Sequence, residues 1–243
     1  TEPHKLLGIG FNLLDLPNEI NWNGLNCRVN YYYNFDGQKL RKRVENNGTL
    51  TKVDYCGPYV YETTSGVRSL KYLITPYGRA VKDGSSWIYE YNLTDHLGNV
   101  RVVIKKGSNN LAEVIQQKGY YPFGMEISQF SAGTGTNKYL YNGKEIQDDF
   151  NLYWYDYGAR FYDPQLGRWH SVDPLAEKYY SISPYVYVAN NPLRFIDPDG
   201  REVIISGALS EDALRQLQER VKNRITLSKN EYGNLSYTIN DGQ

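Results

Sequence analysis

Short apolar runs broken by glycine turns recur from residue 8 to about residue 201, and this rhythm limits the fold more than any other feature. The runs are GIGFNLLDLPNEI, CRVNYYYNFDGQKLRKRVEN, LTKVDYCGPYVYE, VRSLKYLITPYGRAV, SSWIYEYNLTDHLGNVRVVIKKG and LAEVIQQKGYYPFG. Each mixes β-branched and aromatic residues with DG, NG, YG or LG pairs at spacings near ten residues, as consecutive hairpins do. Phe35, Asp36 and Gly37, then Lys82, Asp83 and Gly84, then Asn142 and Gly143 mark the clearest turns, because glycine supplies the positive φ such turns need. Three units, NYYYNFDGQKLRKRV, EYNLTDHLGNVRVVI and RFYDPQLGRWHSV, share one frame: aromatics, an Asn or Asp, a glycine turn, then a basic residue leading a second strand. A hairpin of roughly twenty residues cannot bury its own apolar face, so neighbours must stack beside it. The expected result is an extended antiparallel sheet held by cross-strand aromatic pairs.

The 24 tyrosines and 7 phenylalanines against one methionine fit that sheet, since tyrosine suits a strand with one packed and one wet face. With 27 basic and 27 acidic residues, no charge excess steers the chain toward nucleic acid or an anionic membrane, and neither is an expected partner. No apolar run reaches the length of a membrane span, and TEPHKLLGIG lacks the regions of a signal peptide. The absent initiator methionine and the abrupt end at NDGQ read as a piece of a longer protein. Cys27 and Cys56 are too few for a disulfide framework, and two packed thiols are favoured over one bridge.

Past Gly200 the character changes. REVIISG reads as a strand, and Ser210 is a good N-cap for EDALRQLQERVKNR, with Glu211 and Asp212 in the first turn and Leu214, Leu217 and Val221 as an apolar stripe. ITLSKNEYGNLSYTIN reads as a hairpin around Tyr232, Gly233 and Asn234. This short α+β segment is expected to open a second domain, with DPDG at 197–200 as the boundary. His4, His96 and His170 are scattered, and no HExxH, CxxC, GxSxG or P-loop occurs, so neither a metal site nor a cofactor is expected. GTGTNKYL at 133–140 reads as a linker.

YNGKEIQDDFNLYWYDYGARFYDPQLGRWHSVDPLAEKYYSISPYVYVANNPLRFIDPDG, residues 141–200, resembles the RHS repeat-associated core domain. Upstream, TDHLGNVRVVI at 94–104 resembles an RHS/YD repeat as written in Bacteroidetes proteins, and YYPFG at 120–124 belongs to the same pattern. Together these cover about 190 residues in long, ordered motifs. The resemblance implies a mainly β fold: a spiralling antiparallel β-hairpin sheet forming part of a hollow shell, with the core segment plugging one end. It divides the chain into repeats at 1–136, the core at 137–200 and the start of a variable C-terminal toxin domain at 201–243. It implies a secreted or surface protein, delivered by a bacterial secretion system, with its own C-terminal toxin domain, the upstream repeats, a secretion component and an immunity protein as partners. Some toxin domains behind such cores are similar to zinc metallopeptidases.

The resemblance also assigns structural residues. In the core motif these are Tyr155, Gly158, Arg160, Tyr162, Asp163, Pro164, Gly167, Arg168, Trp169, Pro174, Asn191, Pro192, Pro198 and Gly200. In the repeat motif they are Asp95, His96, Leu97, Gly98, Asn99 and Arg101. Many relatives cut the chain after the closing DPxG by an aspartyl-protease mechanism, in which two carboxylates share a proton. Carried over, the catalytic pair is Asp173 and Asp197, 24 positions apart, and the junction is Gly200 and Arg201. The sequence departs from cleaving relatives at Ala176, where the first motif has glycine, and at Arg201, where they carry an apolar residue.

Other readings of the same residues stand beside these. On the residues alone, both Asp-Pro pairs are favoured as turn-formers without chemistry. Arg160 and Arg168 could orient a carboxylate or stack on rings, and stacking is the expected role. A different function, a sheet surface binding carbohydrate or another cell-surface ligand, requires Tyr153, Trp154, Tyr155, Tyr157 and Trp169 to form an exposed row.

Overall fold

The computed structural model describes residues 6–23, 27–178, 182–205, 225–229 and 235–239. Its largest element is an antiparallel meander of twelve strands, each bonded to its neighbours in sequence. The strands are β1 (Leu6–Phe11), β2 (Pro17–Trp22), β3 (Arg28–Tyr33), β4 (Lys39–Asn46), β5 (Thr49–Cys56), β6 (Tyr59–Thr64), β7 (Val67–Thr75), β8 (Gly78–Asp83), β9 (Ser86–Thr94), β10 (Val100–Lys106), β11 (Ala112–Gln117) and β12 (Ala132–Gly133). This is the mainly β hairpin sheet that the turn spacing predicts. Glycine closes the turns as expected, with φ of +82° at Gly37 and +57° at Gly84. Along the strands the side chains alternate: in β3, Val29 and Tyr31 are buried, Asn30 between them is half-buried, and Tyr32 after them is 46% exposed.

A second meander follows, of β13 (Glu145–Gln147), β14 (Trp154–Asp156), β15 (Phe161–Asp163) and β16 (Arg168–Trp169). RFYDPQLGRWHSV, which shares the frame of the large-sheet hairpins, lies in this small sheet instead. Its strands are only three and two residues long, and Asp163 closes the turn by accepting the Gln165 and Leu166 N–H groups. A third sheet has the order β17 (Phe195–Ile196), β18 (Ile204–Ile205), β20 (Leu235–Ile239), β19 (Ile225–Lys229). The paired β19 and β20 match the expected C-terminal hairpin, while its 230–234 turn and the helix expected over 211–224 lie outside the described residues.

The segment from 137 to 200 crosses one face of the large sheet. At one end Trp154 and Phe161 pack with Ile20, Val29 and Tyr31 in a common cluster. At the other, Leu140 accepts the Val100 N–H and the Tyr120 hydroxyl donates to the Val100 carbonyl. The main core is aromatic: Tyr120, Tyr141, Tyr155, Tyr157, Tyr162, Trp169 and Tyr187 form one buried cluster, and their rings meet in tilted and edge-to-face pairs. Gly124 of YYPFG is required here, since a Cβ at its φ of +89° would sit 2.7 Å from the Tyr141 ring.

Buried charge fastens the two sheets. The Lys39 ammonium of β4 lies 2.6 Å from both Glu145 and Asp156, and Lys42 lies 2.8 Å from Asp149. Tyr55 donates to Glu145 at 2.9 Å. Burial works against the Glu145 charge, yet Lys39 and Lys42 hold its carboxyl down at about 2. The two cysteines are unbonded, but only Cys27 is buried; Cys56 is exposed, so the expectation of two packed thiols is corrected at that position.

Candidate functional site

The core motif brings Asp173 and Asp197 to one side chain. Arg160 follows the β14–β15 turn, where Gly158 takes a φ of +95°. Its Nη2 lies 3.0 Å from Asp173 and 3.2 Å from Asp197. Its Nε donates to the Gly200 carbonyl at 2.6 Å and its Nη1 to the Pro184 carbonyl at 3.3 Å. The guanidinium also lies 4.1 Å from the Trp169 ring centroid. Arg160 therefore both stacks and pairs with carboxylates, and the sequence expectation of stacking alone is too narrow. Among the described residues Arg168 pairs with no carboxylate and stacks on no ring; it donates to Asn190 Oδ1 at 2.9 Å.

Both aspartates also shape backbone. Asp197 Oδ1 accepts the N–H groups of Gly200 at 2.7 Å and Arg201 at 3.0 Å, and Asp173 Oδ1 accepts that of Leu175 at 2.8 Å. Gly200 takes a φ of +77°, and the carbonyl of Pro198 accepts Lys144. Asp197 is 1% exposed. Burial pushes its carboxyl up to about 7, against the opposing pull of Arg160. Burial likewise lowers the Arg160 guanidinium below its ordinary value. A cavity of about 10 Å³, the size of one water, is lined by Arg160, Asp173, Ala176 and Pro184.

Chemically, this holds one peptide bond from both ends. The carbonyl of Gly200 faces a cation and the nitrogen of Arg201 faces a carboxyl, with a second carboxylate on the same guanidinium. A cleft of about 420 Å³ is lined by Leu14, Leu16, Pro174 and, at the junction, Asp199 and Arg201.

The remaining motif residues are structural in their contacts. Tyr155, Tyr162 and Trp169 are buried in the aromatic cluster, and Pro192 is buried. Pro164 and Gly167, with a φ of +65°, complete the turn that Asp163 closes. The Asn191 carbonyl accepts the N–H groups of Arg194 and Phe195. In the repeat motif, Asp95 accepts Leu97, Asn99 and Arg101, Gly98 takes a φ of +77°, and His96 lies 3.4 Å from the Leu193 carbonyl. Of the five aromatics required for a stacking surface, Trp154, Tyr155, Tyr157 and Trp169 are buried and only Tyr153 is exposed. Sequence reasoning missed Lys144 and the Pro184 carbonyl at the junction, and it read Asn142 only as a turn former; the single available signal was its place in an Asn-Gly pair.

No family model matches the chain. Over 113 residues, 46% of the chain, it is 38% identical to salivary gland surface protein 1 of Aedes aegypti. Over 123 residues, 49% of the chain, it is 37% identical to toxin subunit YenC2 of Yersinia entomophaga. A longer match, 28% over 183 residues, is to the tRNA3(Ser)-specific nuclease WapA of Bacillus spizizenii. The chain spans 3%, 11% and 7% of the length of these three relatives. Among solved structures, that of TcdB2-TccC3-Cdc42 superposes with a TM-score of 0.67 at 21% identity, covering 82% of this chain and 10% of the matched one. The Photorhabdus luminescens Tc holotoxin pore gives a TM-score of 0.62 at 20% identity. The chain thus has an RHS-type fold and a sequence related to toxin subunits.

Proposed function

We propose that this chain is the repeat-and-core part of a toxin carrier: residues 1–136 contribute hairpins to a shell, 137–200 form its plug, and 201–243 begin the enclosed toxin domain. The similarity to YenC2 and the shared fold with the TcdB2-TccC3 structures support the carrier reading. On that reading the parent protein is secreted, and its partners are the C-terminal toxin domain, further repeats, other toxin components including a delivery apparatus, and an immunity protein. A Bacteroidetes origin rests on the spelling of TDHLGNVRVVI alone, since the relatives named above come from Yersinia, Bacillus and Aedes.

We further propose that Asp173 and Asp197 cut the Gly200–Arg201 bond once. The observation that carries this is the convergence of both carboxylates and the Gly200 carbonyl on Arg160. Asp173, beside the water-sized cavity, takes a proton from water as its oxygen attacks the Gly200 carbon. Arg160 stabilises the charge gathering on the carbonyl oxygen. Asp197, protonated up to about pH 7, supplies a proton to the Arg201 nitrogen as the bond breaks. Water adds across one peptide bond and no cofactor is used. Purified chain should release a fragment of about 5 kDa, the scale of some forty residues, and Asp173→Ala should abolish it. A wild-type chain that stays whole by mass spectrometry, or an Asp173→Ala chain that cuts at the same rate, sinks the cleavage reading. The carrier reading would survive that result.

A further inference from the structure

The turn of residues 140–144 joins the last repeat turn to the junction, and we infer that Asn142 is a positioning residue that makes the geometry at 197–201 depend on the repeat turn at 95–99. Asn142 takes a left-handed φ of 48°. Toward the repeat, its backbone N–H donates to Asn99 Oδ1 at 2.8 Å, and its Nδ2 donates to the Leu97 carbonyl at 2.8 Å and to Asn99 Oδ1 at 3.2 Å. Toward the core, its Oδ1 accepts the hydroxyls of Tyr157 at 2.8 Å and Tyr187 at 2.7 Å. Two donors face the amide oxygen and two acceptors face the amide nitrogen, so only an amide in this orientation satisfies all four. The Tyr157 and Tyr187 hydroxyls also lie 3.1 Å from each other, so the two phenols and the amide oxygen form one hydrogen-bonded cluster.

Both tyrosines lead to Arg160. Tyr157 donates its N–H to the Arg160 carbonyl at 3.1 Å, and its Cβ stands 3.2 Å from where a Cβ of Gly200 would lie. Next to it, the Ala159 N–H donates to the Asp199 carbonyl at 3.0 Å. The Tyr187 ring centroid is 5.4 Å from that of Trp169, on which Arg160 stacks. Tyr187 also lies on the segment whose Pro184 carbonyl accepts both Arg160 Nη1 and the Asp173 N–H. Lys144, two residues after Asn142, reaches the Pro198 carbonyl directly. One turn therefore touches the repeat on one side and, through three side chains, the junction on the other. The functional consequence rests on the self-cleavage reading: the chain is cut only once the 95–99 turn has closed on the core.

The test is amide hydrogen exchange at Gly200 and Arg201, whose N–H groups both donate to Asp197. Asn142→Gly keeps the positive φ and removes the side chain. Exchange at the junction should rise about tenfold as local protection is lost, while β5 to β8 exchange as in the wild type. Asn99→Ala should act in the same direction, and the Asn99→Ala/Asn142→Gly double variant should exceed neither single change, because both break one link. Unchanged junction exchange, or additive effects of the two substitutions, overturns the inference. If Asn142→Gly does not fold, Tyr157→Phe/Tyr187→Phe removes only the two hydroxyls and must give the same acceleration; a normal junction in that variant also overturns it. Where the wild type cuts itself, Asn142→Gly should slow the cut. A wild type that never cuts removes the self-cleavage reading alone, and the exchange data still decide the coupling.

Discussion

Asp197 and His170 are buried titratable groups that should pull stability in opposite directions with pH. The folded Asp197 carboxyl lies at about 7, above its ordinary 3.8, because burial disfavours its charge more than Arg160 rewards it. Protonation therefore favours the fold: the contribution is full below pH 3.8 and is lost as pH rises to about 7. Asp197→Asn should flatten the decline between pH 5 and 8, on the order of a few kcal/mol in urea titrations. If self-cleavage occurs, its rate should also fall above pH 7, as the same proton is lost. His170 stacks on Trp154 with ring centroids 3.5 Å apart, and burial lowers it from 6.5 to about 4. Its neutral form favours the fold, so that contribution is present above pH 6.5 and is lost as pH falls to about 4. His170→Phe should remove that acid-side slope, and an unchanged slope would show that the ring is solvated. Neither shift is legible in the sequence, where Asp197 is one of two Asp-Pro pairs and His170 a lone histidine.

At the scale of elements, the small sheet needs a cation that it does not carry. Glu145 and Asp156 stand directly opposite one another across β13 and β14, an arrangement of like charges that weakens a sheet by itself. Lys39 of β4 pairs with both from across the interface. Lys39→Met should therefore cost about 3–5 kcal/mol, because two carboxylates remain buried without their partner. Lys39→Met/Glu145→Gln/Asp156→Asn should recover most of that loss. Urea melts of the two variants decide it, and a single-variant loss below about 1 kcal/mol would mean that water serves the pair instead. The sequence shows Lys39 as a basic residue after a glycine turn, but its two partners lie 106 and 117 positions away.

At the scale of the whole molecule, a meander leaves its first strand with one unpaired edge. β1 is bonded only to β2 among the described residues, and Leu7 in it is 65% exposed. Open edges of this kind recruit further strands. Leu7→Lys should reduce self-association of the purified chain in light scattering while changing its melting free energy by less than about 0.5 kcal/mol. Equal association of the two chains would show that another surface drives it.

The sequence by itself determines the meander, its turns and the aromatic character of the core. These follow from rules acting over a few residues: side chains alternate along a strand, and Gly37 or Gly84 supplies a backbone conformation that other residues resist. It also singles out Asp173 and Asp197, through motifs rather than geometry. Only the tertiary structure decides that Arg160 stands between them, that Asn142 ties Tyr187 to the repeat turn, and that Lys39 fills the gap between two carboxylates. Those partners are separated by 37, 45 and 106 positions. Which groups meet over such distances depends on how two sheets pack, and spacing along one chain carries no record of that.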